Sequence, residues 1–350
     1  MDRFSAAKLQ SGETNKKPRE NRAPDIDVRG QQIRDPDVQP ENPHLLTRRS
    51  VLVGGAALMA AEAAESKQLN PLINLLGKPL GELDYHAEVN KFKDALEREY
   101  GIKLIMGPQP GQKRVTGDVM LLEKYKSVME VIAQELSFYP PEMIRNIGRG
   151  QPFEIRVMDN LYLKGPFTGL QSSGERISIT AHAQPIAEDG MARLSLNVSE
   201  SQDLQRRSIH HELNHFFTAN WENWDRRNEK WTAFHKKISP NPYAQVPPET
   251  TTDTPAPPDK RYCLSYYASS AAQEDQAVCA EWMMTPWLHF EFRNRIENEP
   301  DKNVRDVLQA KYNETIENYR IWSRGKIDKA FWEAIYRQGE KEYVRMAKSE

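Results

Sequence analysis

Cysteine is scarce in this sequence. There are two in 350 residues, Cys263 and Cys279, and they lack the C-x-x-C spacing from which thiolate metal sites are built. An excess of one charge is missing too: 48 Lys and Arg stand against 50 Asp and Glu, a net charge of −2, which leaves no electrostatic footprint for nucleic acid. A bilayer needs roughly 20 consecutive apolar residues, and the one apolar run of note, Val51–Ala61, is about half that length, so no stable membrane span is expected in the mature chain. Internal repeats are absent, which removes solenoids and propellers. With 38% hydrophobic residues the chain is still able to bury a sizeable core.

What is present is one informative helical turn, His211-Glu212-Leu213-Asn214-His215. H-E-x-x-H puts two imidazoles one turn apart on one face of a helix with a carboxylate beside them, a spacing that suits tetrahedral zinc. The context is that of a real helix. Arg193–Val198 alternates like a strand, Ser201 and Asp203 provide capping residues, and Ile209, Leu213, Phe216 and Phe217 recur at offsets of three and four as an apolar stripe. The plain alternative is a core helix with two hydrogen-bonded histidines.

A catalytic zinc site needs a third protein ligand and one position open to water. Tyr262–Trp282 supplies a candidate. From Ser269 onward it reads as a helix capped by Ser269 or Ser270, rich in alanine, with Glu274, Ala277, Val278 and Glu281 at helical offsets. Glu274 projects from one face while Ala277 and Val278 pack, so Glu274 is the expected ligand and Glu281 the reserve. The alternative makes both of them surface charges.

HHELNH (His210–His215), followed by Tyr266-Tyr267-Ala268, a short spacer, Glu274-Asp275 and then Ala277, resembles the zincin metallopeptidases of the gluzincin type. It is most similar to the anthrax-lethal-factor-like group and to bacterial zinc-binding metallopeptidase proteins. The resemblance spans about residues 85–345, with its sharp motifs confined to His210–His215 and Tyr266–Ala277. It implies one Zn2+ per chain held by His211, His215 and Glu274, with Glu212 as general base and peptide or protein as substrate. It also implies a tyrosine facing the metal seven residues before the third ligand, which falls on Tyr267, with Tyr266 the rival. Trp221, Trp224 and Trp231 look like the aromatic stretch after the zinc helix. One departure stands out: the acidic residue usual after the alanine is Val278 here, so a carboxylate contact is missing or comes from elsewhere. Two other functions stay open, a zinc-binding scaffold without turnover and an amidase acting on cell-wall peptides.

The amino end carries a second signal. Thr47-Arg48-Arg49-Ser50 and the apolar run behind it resemble a twin-arginine export signal, with Ala61-Glu62-Ala63 as a small-x-small cleavage site. The expected organisation is a charged, Pro-rich, disordered segment (1–46), the signal (47–63), a linker (64–84) and a metallopeptidase-like domain (85–350). That implies passage through the twin-arginine export machinery and a periplasmic or secreted enzyme, or a cytoplasmic one if the signal is not used. In an oxidising compartment Cys263 and Cys279 are able to form a disulfide; two buried free thiols are the equal alternative.

The expected fold class is α+β and zincin-like: a small mixed sheet, then the H-E-x-x-H helix, then a mainly helical C-terminal lobe. Strands are expected at Phe153–Leu163, Arg176–Ala183 and Arg193–Val198. Helices are expected at Val89–Tyr100, Leu122–Tyr139 (stopped by Pro140-Pro141), Val304–Trp322 and Ile327–Met346, with Trp322 and Trp332 packed on the core. Residues 239–260, rich in Pro and Thr, read as a loop insertion, either a lid over the cleft or an ordinary surface loop.

Overall fold

A four-stranded mixed sheet underlies the H-E-x-x-H helix. The protein is described here from a computed structural model that covers residues 85–106, 119–148, 153–158, 161–163, 177–178, 181–184, 191–220, 224–247 and 250–349. All of these belong to the unit Asn42–Glu350. The segment 1–46, the export signal at 47–63 with Arg48 and Arg49, the linker 64–84 and Trp221 lie outside the described residues.

The chain enters through helix α1 (Tyr85–Tyr100) and strand β1 (Ile102–Met106), joined by Gly101, whose φ of +66° is a left-handed conformation that glycine adopts without a Cβ clash. Helix α2 (Val119–Leu136) and the short helix α3 (Pro141–Arg145) follow. The strands are β2 (Phe153–Met158), β3 (Tyr162–Leu163), β4 (Ile177–Ser178), β5 (Ala181–Gln184) and β6 (Arg193–Asn197). The main sheet runs β1-β2-β6-β5, with β1, β2 and β6 parallel and β5 antiparallel on the outside. Helices α4 (Gln202–Asn220), α5 (Trp224–Phe234), α6 (Ala272–Met284), α7 (Pro286–Asn298), α8 (Lys302–Trp322) and α9 (Lys329–Ser349) make the rest. The expected class, α+β with a small mixed sheet and a mainly helical C-terminal region, is the architecture found.

Several boundaries differ from the expectations. Phe153–Leu163 is two strands: β2 belongs to the main sheet, while β3 pairs with β4 in a separate two-stranded ribbon. Arg176–Ala183 divides likewise between β4 and β5, because the chain changes sheets there. The helix expected to run to Tyr139 ends at Leu136, since residues preceding proline are pushed out of the α region. Pro141 then starts α3, where its missing N–H costs nothing. Strand β1 and helix α7 have no counterpart in the sequence reading.

The core explains the helix pattern. The stripe Ile209, Leu213, Phe216 and Phe217 is buried, and Phe216 meets Phe153 of β2 edge-to-face at 5.0 Å. Ala277 and Ala280 of α6 are fully buried, and α6 packs on α4. Trp322 and Trp332 lie in the core as expected. Ser195 and Asn197, read as the polar face of a strand, are buried as well, because β6 is covered on both sides. Among the described residues no helix is long and apolar enough to cross a membrane.

The 239–260 segment is tied down on both flanks of Tyr267. Ala244 N–H donates to the Ser269 carbonyl at 3.0 Å, and Tyr266 N–H donates to the Thr254 carbonyl at 2.8 Å. Cys263 and Cys279 are buried free thiols, so the alternative without a disulfide is the one found. Burial, which disfavours the thiolate, pushes Cys263 up to about 12 and Cys279 well above the usual thiol range.

Candidate metal centre

Helix α4 begins where Ser201 Oγ accepts the Leu204 amide at 3.3 Å and the Ser201 carbonyl accepts the Gln205 amide at 3.0 Å. Its apolar stripe fixes the rotation of the helix. That rotation turns His211 and His215 together toward α6, their rings 5.0 Å apart. Helix α6 starts differently from the expectation. Its N-cap is Ala271, in extended conformation with no side-chain cap, while Ser269 closes the preceding 3-10 turn by bonding the Tyr266 carbonyl. Glu274 and Asp275 lie in its first turn, where the helix dipole favours carboxylates.

The structure brings His211, His215 and Glu274 together. Glu274 Oε2 is 3.2 Å from His211 Nε2 and 3.5 Å from His215 Nε2, and one donor atom from each residue falls within 4.8 Å of the others. Nitrogen and oxygen ligands about 2.0–2.2 Å from a tetrahedral zinc stand about 3.3–3.6 Å from one another. Two imidazoles and a carboxylate at these separations fit the ion in both geometry and donor chemistry. Burial alone would raise the Glu274 carboxyl, but His215 and His211 outweigh it and hold it well below the usual carboxylate range. Burial would likewise lower His211, yet Glu274 and Glu281 hold it up at about 10.

Glu281 is not placed as a reserve ligand. Its Oε2 meets His211 Nδ1 at 3.2 Å, on the ring edge opposite Glu274, and its Oε1 takes Arg207 Nε and Nη2 at 2.8 and 2.6 Å. A carboxylate on the far nitrogen of a metal-ligating histidine fixes ring orientation and tautomer. Val278, the position where an acidic residue was expected, is buried in the core, and Glu281, three residues further along α6, brings a carboxylate to His211. Despite its burial, Arg207 and His211 keep Glu281 down at about 2.

Glu212 lies outside the cluster of His211, His215 and Glu274. Its Oε2 accepts the Ala183 amide of β5 at 2.8 Å, so this outer strand turns one main-chain donor toward α4 rather than into the ladder with β6. Tyr267, in a 3-10 turn, has its ring 6.0 Å from His211. Burial, then Glu274 and Glu212, raise its hydroxyl far above the ordinary tyrosine value, so it keeps its proton and is a donor. Tyr266, the rival, acts through its main chain, bonding Thr254 and closing the turn. His210, the extra histidine of HHELNH, faces away. Its Nδ1 pairs with Tyr139 Oη at 2.7 Å and its Nε2 with Glu135 Oε2 at 2.8 Å.

A second cluster, His235, Cys263 and Asp275, also has donor atoms within 4.8 Å of one another. Here the chain supplies its own cation. Lys311 Nζ is 2.9 and 2.6 Å from the two Asp275 oxygens, 2.7 Å from the Tyr262 carbonyl and 3.9 Å from Cys263 Sγ. Trp231 Nε1 and Tyr243 Oη donate to Asp275 Oδ2 at 2.8 and 3.1 Å. Apart from the half-buried Tyr243 these residues are buried, next along α6 from Glu274, so the group anchors α6 rather than taking a metal. Nothing local in the sequence pairs Asp275 with Lys311 or Trp231, 36 and 44 residues away.

No protein-family model and no curated protein matches the chain. Among solved structures, the crystal structure of a "putative zinc-binding metallo-peptidase" from Bacteroides caccae aligns with a TM-score of 0.44 at 14% identity, covering 76% of this chain and 96% of that one.

Proposed function

We propose that this chain is a zinc-dependent peptidase of the gluzincin kind in which His211, His215 and Glu274 hold one zinc ion, Glu212 is the general base and Tyr267 donates to the oxyanion. The observation that carries the reading is the convergence of those three donors from two helices, with Glu274 Oε2 at 3.2 and 3.5 Å from the two imidazole nitrogens and all three within 4.8 Å of one another. When bound, zinc supplies a Lewis acid that polarises a carbonyl and eases proton loss from water. Glu212 takes that proton and returns it to the leaving amine. The Ala183 amide restrains the Glu212 carboxylate, so the base is held at the site rather than swinging through solvent. The Tyr267 hydroxyl, its proton kept on by burial and Glu274, stabilises charge developing on the substrate oxygen. Peptide lies extended along β5, the outer antiparallel strand beside Glu212, and pairs with the outward main-chain groups other than the Ala183 amide, which Glu212 holds.

The test is metal content by elemental mass spectrometry, alongside cleavage of a mixed peptide library, for residues 64–350 of the chain. About one zinc per chain is expected, lost in Glu274→Ala. Glu212→Gln keeps the zinc and loses about 100-fold or more of turnover. Absence of zinc from the refilled wild type, or full activity in Glu212→Gln, overturns the assignment.

A further inference from the structure

We propose that Asp253, in the Pro/Thr-rich segment, is a positioning residue of the metal centre: through Arg207 and Glu281 it sets the orientation of the His211 imidazole. Arg207 sits one turn before His211 on α4, and its side chain is 3% exposed. Nη1 donates to Asp253 Oδ1 at 2.5 Å, and Nη2 reaches Thr252 Oγ1 at 3.3 Å. On its other side the same guanidinium grips Glu281 Oε1 with two N–H groups, leaving Glu281 Oε2 for His211 Nδ1. A planar guanidinium orients its partners through a rigid fork, so fixing one end fixes the other.

Asp253 is itself presented rigidly. The Thr251 amide donates to Thr254 Oγ1 at 2.9 Å, the Thr254 amide donates to the Thr251 carbonyl at 3.0 Å, and the Thr254 carbonyl accepts the Tyr266 amide. The turn 251–254 therefore reaches the centre from two sides, through Arg207 to His211 and through Tyr266 to the neighbouring Tyr267. Of the other carboxylates beside Arg207 Nη1, Asp203 Oδ2 stands at 3.9 Å, too far to replace the bond. The segment expected as a lid or an ordinary loop is a strap on the metal site.

The two consequences of losing Asp253 separate cleanly. Its side chain is 55% exposed, and an ion pair with so exposed a partner contributes little to global stability. Partners one bond behind a metal ligand nevertheless change metal affinity by about 10–100-fold, and Asp253 is one step further back, so about three- to tenfold is expected.

The experiment compares Asp253→Ala, Asp253→Glu and Asp203→Asn with the wild-type full chain. Zinc affinity is read by competition with a chromophoric chelator, and thermal unfolding is read in chelator without zinc. Asp253→Ala weakens zinc binding about three- to tenfold with a melting shift of no more than about 2 °C, and Asp253→Glu recovers most of the affinity. Asp203→Asn stays within about twofold of wild type. A readout independent of metal is the His211 Nδ1 proton of histidine-labelled, zinc-free protein. It is slowly exchanging and shifted downfield in the wild type, and it exchanges rapidly in Asp253→Ala. The inference rests on the zinc assignment for the first readout alone. A wild type that takes no zinc sinks that assignment, while the proton signal still decides this one. Unchanged zinc affinity, or in a zinc-free protein an unchanged Nδ1 proton, overturns the role of Asp253.

Discussion

Replacing Lys311 by methionine removes the cation from a carboxylate that has no access to water. Lys311 and Asp275 are both fully buried, and the ammonium lies 2.9 and 2.6 Å from the two Asp275 oxygens. Methionine fills a similar volume, so the change isolates charge from packing. Breaking a buried pair by removing one partner costs about 3–5 kcal/mol, because the other charge stays desolvated and uncompensated. Asp275 keeps the Trp231 and Tyr243 donors, which places the expected loss near the lower end, about 3 kcal/mol. In a chain of this size that corresponds to a melting temperature lower by about 6–12 °C. The assay is denaturant unfolding in chelator, so that metal binding does not mask the change. The double variant Lys311→Met/Asp275→Asn removes both charges and keeps a carbonyl oxygen for Trp231 and Tyr243. It is expected to recover more than half of the loss. A single-variant loss below about 1 kcal/mol would refute the reasoning, and so would a double variant no more stable than the single one.

Three further outcomes follow from named contacts. Ala183→Pro deletes the amide that holds Glu212 without removing a bond of the β5–β6 ladder, a position an outer strand tolerates, so zinc content is unchanged and peptidase turnover falls; wild-type turnover refutes the restraint. His289 is held down at about 3 by burial, then by Arg293, while the unfolded imidazole takes a proton below its ordinary value of 6.5. Its contribution is complete above pH 6.5 and is lost as pH falls toward 3, at up to about 1.4 kcal/mol per pH unit. Unfolding free energies at pH 7 and pH 5 should therefore differ less in His289→Gln than in wild type, and equal slopes count against this account. Cys263 and Cys279 resist an aqueous thiol reagent in the native protein at pH 8 and both react after unfolding; a mass lower by two hydrogen atoms in non-reducing conditions contradicts the free thiols.

Local periodicity made part of this protein legible. An i, i+4 pair of histidines shares a helix face whatever the rest of the chain does, and the stripe Ile209–Leu213–Phe216–Phe217 says which way that face turns. The same periodicity located α1, α8 and α9 to within a few residues, and proline marked the break between α2 and α3. Glu274 was legible because it begins a helix whose small residues allow close packing.

The roles of the other charged groups depended on contacts that no local pattern encodes. Glu281 and Glu274 occupy equivalent helical offsets in the sequence, yet they meet opposite nitrogens of His211, 70 and 63 residues away. Which carboxylate meets both His211 and His215 depends on how α6 lies across α4, and that follows from the burial of Ala277, Val278 and Ala280. Arg207, 74 residues from Glu281, reads as one more charge on an amphipathic helix until the fold buries it. The outer position of β5 emerged only when the chain changed sheets. Helical spacing is set by bonds between near neighbours and so is written in the sequence. The pairing of buried charges is set by which surfaces the core brings together, and only the tertiary structure decided that.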